Sequence, residues 1–244
     1  MNSHLTYCAK MTCFAIVYFI VARLSLLIDP VNGIASLVWP PSGLSLAVLF
    51  LGGAQLWPGI FIGSFLSNSS VGVPLIAAIA IGFGNSLEAL FGRYLLNRGD
   101  FDARFERFRD VMLLGLVVAI FCPVLSALFG TFSLWLDNQL AIGTVSRTFI
   151  SWWIGNALGI LTITPLICLW RNYTYQILRP WQYIEILCIS LFLICTSLSV
   201  FEMLPPLIPY FSHLLPYTIF PGLIWAAVSF GPRGGATAVV GVAI

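Results

Sequence analysis

The sequence contains very little charge: 8% of its 244 residues are Asp, Glu, Lys or Arg, whereas 59% are hydrophobic. The mean hydropathy is +0.98 and the apolar runs are continuous, so the composition excludes a water-soluble globular protein. Continuous runs also predict membrane-spanning helices rather than a transmembrane barrel, which needs short alternating segments. The small net charge of +2 gives no indication of a nucleic-acid partner.

Histidine is nearly absent, because His4 and His213 are the only two in the chain. A haem held by two histidines and a zinc site therefore lack ligands. The six cysteines form no Cys-x-x-Cys pair and lie mostly in apolar segments, which predicts reduced thiols and no metal site. Nucleotide-binding glycine motifs and local nucleophile signatures are missing as well. We therefore expect no catalysis, no cofactor and no metal.

Apolar runs predict an all-α transmembrane bundle of about eight spans plus the start of a ninth. They lie at residues 11–28, 37–68 as two short passes, 71–96, 111–134, 147–169, 183–201 and 217–230, and the last run begins at 236. The stretch 37–68 allows roughly 24 Å for each pass, against about 30 Å of hydrocarbon. This hairpin either crosses as two short helices or re-enters on one side. We expect residues 1–244 to form one integral-membrane domain that continues past its last residue.

Basic residues predict the orientation of the bundle. Arginines concentrate in the loops at 97–110 and 171–180, and basic loops are typically cytoplasmic. The N-terminus is then cytoplasmic, and the proline-rich loop at 202–216 is external. We expect a multi-pass protein of the bacterial inner membrane.

The run at 71–96 contains a carboxylate, Glu88, whose burial in lipid would cost about 2.5–3.5 kcal/mol on insertion scales. Glu88 must therefore face protein or water. Gly84 and Gly92 lie one turn away on either side, and Asn85 lies three residues before, so this helix face is small and polar. Such a face is typical of close helix packing.

A second small and polar face occurs in the run at 147–169, where it includes Gly155, Asn156 and Gly159. We expect this face to contact the Glu88 face. Two interpretations of Glu88 stay open: a clasp that only holds helices together, or a sensing group whose proton occupancy responds to ligand, cation or pH.

Five motifs spread along the chain resemble the bacterial membrane-associated sensor domain of the first type (MASE1-like). They are Trp39-Pro40-Pro41-Ser42-Gly43, Trp57-Pro58-Gly59-Ile60-Phe61-Ile62-Gly63 with Asn68, Gly84-Asn85-Ser86-Leu87-Glu88-Ala89-Leu90, Trp152-Trp153-Ile154-Gly155-Asn156-Ala157-Leu158-Gly159 with Pro165-Leu166, and Phe230-Gly231-Pro232-Arg233-Gly234. Each motif is weak alone, but their shared order is specific.

The resemblance implies an N-terminal sensory input module that passes an unknown signal to a histidine kinase or to a cyclic-di-GMP enzyme. The candidate sensing residues are Trp39, Trp57, Asn68, Asn85, Glu88, Trp152, Trp153 and Asn156. Trp39 and Trp57 beside prolines are also typical of interfacial anchors. The family usually has an aspartate where this chain has Asn156, so an ionic role does not transfer to that position. The implied partners are the lipid bilayer, a fused or separate cytoplasmic signalling domain and a second copy of the chain.

A different class of protein also fits the pattern. Short broken helices and a carboxylate near the middle of a span are features of secondary transporters, so a small transporter or solute-binding membrane protein is the alternative. No inverted repeat supports it in the sequence.

Overall fold

The computed structural model describes residues 2–28, 38–171, 178–200 and 217–243, and every regular element among them is helical. The principal helices are α1 (Asn2–Ile28), α2 (Pro40–Gly52), α3 (Trp57–Ser69), α4 (Leu75–Arg98), α5 (Phe108–Met112), α6 (Ala119–Leu136), α7 (Val145–Trp170), α8 (Pro180–Val200) and α9 (Ile219–Ala243). The predicted all-α class is confirmed. The loop expected at 202–216, with His213, lies outside the described residues.

Five helical stretches of the described residues are long and apolar enough to cross a membrane. They are His4–Leu27, Leu75–Arg98, Phe108–Leu136, Ile142–Trp170 and Pro180–Val200. The expected count of eight spans is not confirmed. Helices α2 and α3 have 13 residues each, so each measures only about 20 Å against about 30 Å of hydrocarbon.

The two short helices, α2 and α3, are joined by a tight connection at Gly53. Its φ of 110° lies in the left-handed region, which favours glycine, and a Cβ there would meet the side chain of Gln55. Helix α3 then begins at Trp57 with Pro58 in its first turn, where a missing N–H costs nothing. The two short passes agree with the expected lengths. Crossing of the bilayer and re-entry on one side both stay predictions for this hairpin.

Helix α4 organises the first of two compact units, Met1–Cys168. It packs against α2, α3 and α6, and α1 packs against α2 and α3. Buried apolar side chains of these four neighbouring helices α1 to α4 form one cluster that includes Tyr18, Leu49, Ile60 and Ala89. Because α4 contacts so many partners, polar groups on it can reach several helices at once.

The segment that precedes α6 is irregular. Residues Leu113–Val118 form a π-helical stretch between α5 and α6, and Pro123 lies inside α6. Proline removes a helical hydrogen bond, and π-helical turns widen a helix locally. The helical stretch Phe108–Leu136 therefore has two irregular points, one just before α6 and one inside it, where it packs beside α4.

The loop between α4 and α5 is ordered by aromatic contacts and ion pairs. Phe101 packs edge to face against Phe50 of α2 and against Phe105, with ring centroids 5.3 Å and 5.1 Å apart. Its ion pairs are Arg104–Asp102, Arg104–Glu106, Arg107–Asp100, Arg107–Asp110 and Arg109–Asp100. The side chain and backbone N–H of Arg104 lower the pKa of Asp102 to about 2.

The second compact unit, Leu169–Ile244, contains α8 and α9. Ile189 and Leu193 of α8 pack with Ala226 of α9 in its buried cluster. Helix α9 is interrupted at Gly231, whose φ of 67° and ψ of −161° are not helical. The sequence predicted a turn over Gly231 to Gly235 and a new run from residue 236, but the helix resumes directly after Gly231. Proline is favoured at the first position of a helix because its ring fixes φ near the helical value, so Pro232 suits the point where the helix resumes.

Candidate functional site

Buried polar side chains gather where α4 meets its neighbours in the first unit. Glu88 is 2% exposed, Asn156 is 1% exposed and Asn85 is 6% exposed. Ser64 of α3 and Ser126 of α6 are fully buried beside them. Such groups are costly to bury unless they find hydrogen-bond partners, so their contacts decide what the site can do.

Glu88 is held from α7. The side-chain Nδ2 of Asn156 donates a hydrogen bond of 2.7 Å to Oε2 of Glu88. The Ser42 hydroxyl of α2 lies beside the carboxylate. The other oxygen, Oε1, is buried and has no hydrogen bond of normal geometry among the described residues. Glu88 therefore retains an unused acceptor inside the protein.

Asn85 links four helices. Its Nδ2 donates to the Tyr18 hydroxyl of α1 at 3.1 Å and to the Ser64 hydroxyl of α3 at 2.8 Å. Its Oδ1 accepts a short hydrogen bond from the hydroxyl of Ser126 on α6. A 180° flip of the Asn85 side-chain amide would break hydrogen bonds to other helices at both its nitrogen and its oxygen.

Asn156 completes a continuous network. Its Nδ2 also donates to Ser126 at 3.1 Å, which connects Glu88 with Asn85. We call the set Tyr18, Ser64, Asn85, Glu88, Ser126 and Asn156 the buried polar network. It joins α1, α3, α4, α6 and α7, because each of these helices contributes at least one member.

The start of α2 is fixed directly to α7 by backbone contacts. The N–H of Trp39 donates to the carbonyl of Gly155 at 2.8 Å, and the Thr164 hydroxyl donates to the carbonyl of Gly43 at 3.1 Å. A Cβ on Gly159 would overlap the carbonyl of Trp39, and one on Gly43 would overlap the carbonyl of Gly159. These close approaches hold the first turn of α2, with Ser42, against Glu88.

No charged side chain balances Glu88 within the described part of the chain. Every ion pair found there joins residues of the loop between Asp100 and Asp110. The groups around the carboxylate are hydroxyls, an amide and the positive end of the α2 dipole. The network can therefore exchange a proton or hydrogen-bond a small polar ligand.

A metal centre has no support in the described residues, where no three His, Cys, Asp or Glu side chains come together. Among the described residues the one histidine, His4, is exposed at the start of α1, and His213 lies outside them. The described site thus offers hydrogen-bond donors and one carboxylate as its chemical groups.

Four of the predicted site residues come together. Asn85, Glu88 and Asn156 are members of the buried polar network, and the Trp39 side chain lies within hydrogen-bonding reach of Tyr18. Their role in sensing stays a prediction, since geometry alone does not test it.

The other four lie apart from Glu88. Trp57 is 36% exposed at the start of α3, and Asn68 donates to the carbonyl of Ser64 in its own helix. Trp152 packs in an apolar cluster against Gly130, and Trp153 donates to the carbonyl of Ile120 on α6. These contacts are those of packing and helix docking.

The prediction that the Glu88 face of α4 contacts the Asn156 face of α7 is only partly right. Glu88 does reach Asn156 of α7. However, a Cβ on Gly84 would meet Phe129 of α6, and one on Gly92 would meet Leu46 of α2. The glycines thus serve the contacts with α6 and α2, because those helices lie against α4 along its length.

Sequence reasoning missed Tyr18, Ser42, Ser64 and Ser126. Tyr18 and Ser126 lie deep inside apolar runs, which is the signal that could have drawn attention to them. Ser42 lies within the first tryptophan-proline motif, and Ser64 directly follows the second. Their proximity to Glu88 and Asn85 depends on long-range packing.

A second carboxylate, Glu185 of α8, was also missed. It accepts hydrogen bonds from the Trp225 indole at 2.9 Å and from the Ser229 hydroxyl, both on α9. It lies in the second compact unit and is considered separately from the buried polar network.

Comparison with known proteins gives one match. The MASE1 family model matches residues 8–244, which is nearly the whole chain. No curated protein and no solved structure is significantly similar to it.

Proposed function

The chain belongs to the MASE1 family of membrane-associated sensory modules, and from this premise we propose that it detects a signal in the membrane and passes it to a cytoplasmic output. The output is a histidine kinase or an enzyme that makes or degrades cyclic-di-GMP, either fused to this chain or separate. The sensory module itself performs no catalysis.

The observation that supports this proposal is the buried polar network. A signal changes a protein only if it binds two arrangements with different free energies. Glu88, Asn85 and Asn156 lie at the junction of five helices, so a change of their hydrogen bonds alters the packing of all five. A local change in charge or bonding can thus bias the whole bundle.

We place the N-terminus and the loop between α4 and α5 on the cytoplasmic side of the bacterial inner membrane. Four of the eleven Lys and Arg residues lie in this loop or within two residues of its ends, at positions 98, 104, 107 and 109. Basic residues in short loops are retained in the cytoplasm. The ordered loop would then face the output domain.

The test is a fusion of the chain to a histidine kinase whose autophosphorylation is measured in membranes. Glu88→Gln keeps the shape of the side chain but removes its charge, so we expect normal insertion and an output fixed in one state. Glu106→Gln is the matched control, because Glu106 is exposed in the loop and should leave the response unchanged. A Glu88→Gln fusion that responds like the parent would contradict the sensing role.

A transporter remains the competing class, because the start of the short helix α2 faces a buried carboxylate as in discontinuous transporter helices. Measurement of solute and ion flux in proteoliposomes containing the purified chain distinguishes a transporter from a sensor. Solute or ion flux that Glu88→Gln abolishes would favour transport, whereas an altered output without flux favours sensing.

A further inference from the structure

We infer that Oε1 of Glu88 binds and releases a proton, and that this proton is the ligand of the buried polar network. This deepens the proposed function, on which it rests for the role of the site in signalling. It starts from the unused acceptor described above: Glu88 is 2% exposed and Oε1 has no hydrogen bond of normal geometry among the described residues.

A buried carboxylate must be neutralised or well solvated by donors. Oε2 has the Asn156 amide at 2.7 Å, but within the described residues no Lys or Arg forms an ion pair with Glu88. A proton on Oε1 removes the charge and needs no additional ligand. It also converts Oε1 from an unused acceptor into a donor, for which the Ser42 oxygen lies close by.

A metal cation fits this environment less well than a proton. Metal ions of the alkali and alkaline-earth groups need several oxygen ligands with free lone pairs. Here Asn156 presents its N–H to the carboxylate, and Ser126 already accepts from Asn156 and donates to Asn85.

The titratable groups that the packed helices bring into electrostatic contact with Glu88 are a tyrosine and a cysteine. Helix α1 presents Tyr18 and α6 presents Cys122, and both act on Glu88 electrostatically. Helices α2, α6 and α7 present Ser42, Ser126 and Asn156, which do not titrate. Tyrosine and cysteine are ordinarily neutral at pH 7, so they add no competing charge there.

Proton exchange at Oε1 would reach the whole network through Asn156. A hydrogen bond to a charged carboxylate is about twice as strong as one to a neutral acid. When Glu88 is protonated, the hydrogen bond from Asn156 Nδ2 to Oε2 weakens, and the bond that the same Nδ2 donates to Ser126 becomes the stronger of the two. The chain from Ser126 to Asn85 and Tyr18 then carries the change to α6, α4 and α1.

The test is infrared spectroscopy of the full chain in lipid nanodiscs between pH about 6 and about 9, a range in which exposed carboxyl groups stay ionised. We expect a protonated-carboxyl band at the acidic end that disappears toward the basic end. Glu88→Gln should lose this band. Glu185→Gln should keep it, because Glu185 is the matched carboxylate in a different helix pair.

Three results would overturn the inference: no band that Glu88→Gln removes, a band that does not change with pH, or a band that sodium chloride removes at constant pH when choline chloride does not. If Glu88→Gln fails to insert, Glu88→Asp supplies the test, because the band must then shift. The measurement does not use the output domain. Suppose that the infrared band of Glu88 is present but Glu88→Gln leaves the kinase output of the fusion unchanged. That result would contradict the proposed function and would still support the proton site.

Discussion

Phe50, near the end of α2, packs edge to face against Phe101 of the charged loop, with ring centroids 5.3 Å apart. The opposite end of the same helix holds Ser42 beside Glu88. Helix α2 is thus a rigid piece of 13 residues with one end at the buried polar network and the other at the loop. A movement of its first turn would therefore reach Phe101 through a single helix.

The first prediction concerns this aromatic contact. Phe50→Leu and Phe101→Leu should each destabilise the protein and show a coupling of about 0.5–1.5 kcal/mol in a double-mutant cycle, as aromatic pairs do. Unfolding by a denaturing detergent in mixed micelles measures it. Phe108→Leu is the control, because Phe108 is exposed. Simple additivity of the two substitutions would show that α2 and the loop are not linked here.

The second prediction concerns Asn156→Asp. This change places two carboxyl groups where an amide now donates at 2.7 Å, so both can be buried only if they share a proton or bind a cation. We expect a loss of stability on the order of 3 kcal/mol that grows as pH rises and the shared proton leaves. Thermal melting of the detergent-solubilised protein between pH about 6 and about 9 measures this.

The control for Asn156→Asp is the double variant with Glu88→Gln. A glutamine at position 88 can donate to the new aspartate, which removes the carboxyl pair. The double variant should therefore melt with a weaker pH dependence than Asn156→Asp alone. Equal pH dependence in both would mean that the two side chains do not meet.

The third prediction concerns packing between α4 and α6. Gly84→Leu should reduce folded yield, because a Cβ on Gly84 already lies 2.7 Å from the Cβ of Phe129. Overpacking of this kind costs about 1–3 kcal/mol or more. Leu87→Ile, at an exposed position of the same helix, should be tolerated. Size-exclusion profiles of both variants decide it, and equal tolerance would show that the Gly84 face is not packed.

The fourth prediction concerns the side of the membrane on which the charged loop lies. A single cysteine at Glu106, introduced into a chain without other cysteines, should react with a membrane-impermeant thiol reagent only in inverted vesicles. Glu106 is suitable because its side chain is 64% exposed. Labelling in intact cells would place the loop outside and reverse the orientation.

The fifth prediction concerns Asp102 and Arg104. Arg104 lowers the pKa of Asp102 to about 2 from an ordinary 3.8. The stabilising contribution of the pair is therefore full above pH 3.8 and is lost as pH falls through about 2. In Arg104→Gln the titration of Asp102, followed by nuclear magnetic resonance, should move up toward 3.8. An unchanged midpoint would show that Arg104 does not hold this carboxylate.

The sequence predicted helical class, membrane location and family because these depend on composition, run length and local motifs. Glu88, Asn85 and Asn156 could be chosen as well, since polar residues in apolar runs stand out. The number of spans could not be predicted in the same way. Hydropathy does not distinguish a 13-residue helix that packs against protein from a short span facing lipid, and α2 is apolar enough for either.

The partners of the chosen residues also escaped prediction. Tyr18 and Ser64 contact Asn85 from positions 67 and 21 residues away in the chain. Such contacts depend on which helices pack together, and local periodicity identifies only the face that is small. The face of Gly84 and Gly92 was recognised correctly as a packing face, while α6 and α2 share it in place of α7 alone.

The backbone contact between Gly43 and Gly159 determines how this region can tolerate change. At most buried positions a larger side chain is accommodated in steps, by shifts of its neighbours. Here the obstacle is a backbone carbonyl, that of Gly159 for Gly43 and that of Trp39 for Gly159, and a carbonyl has no rotamers to adjust. Saturation mutagenesis should therefore give a graded series at Leu46 but an all-or-none pattern at these two glycines, where even alanine counts as a large residue.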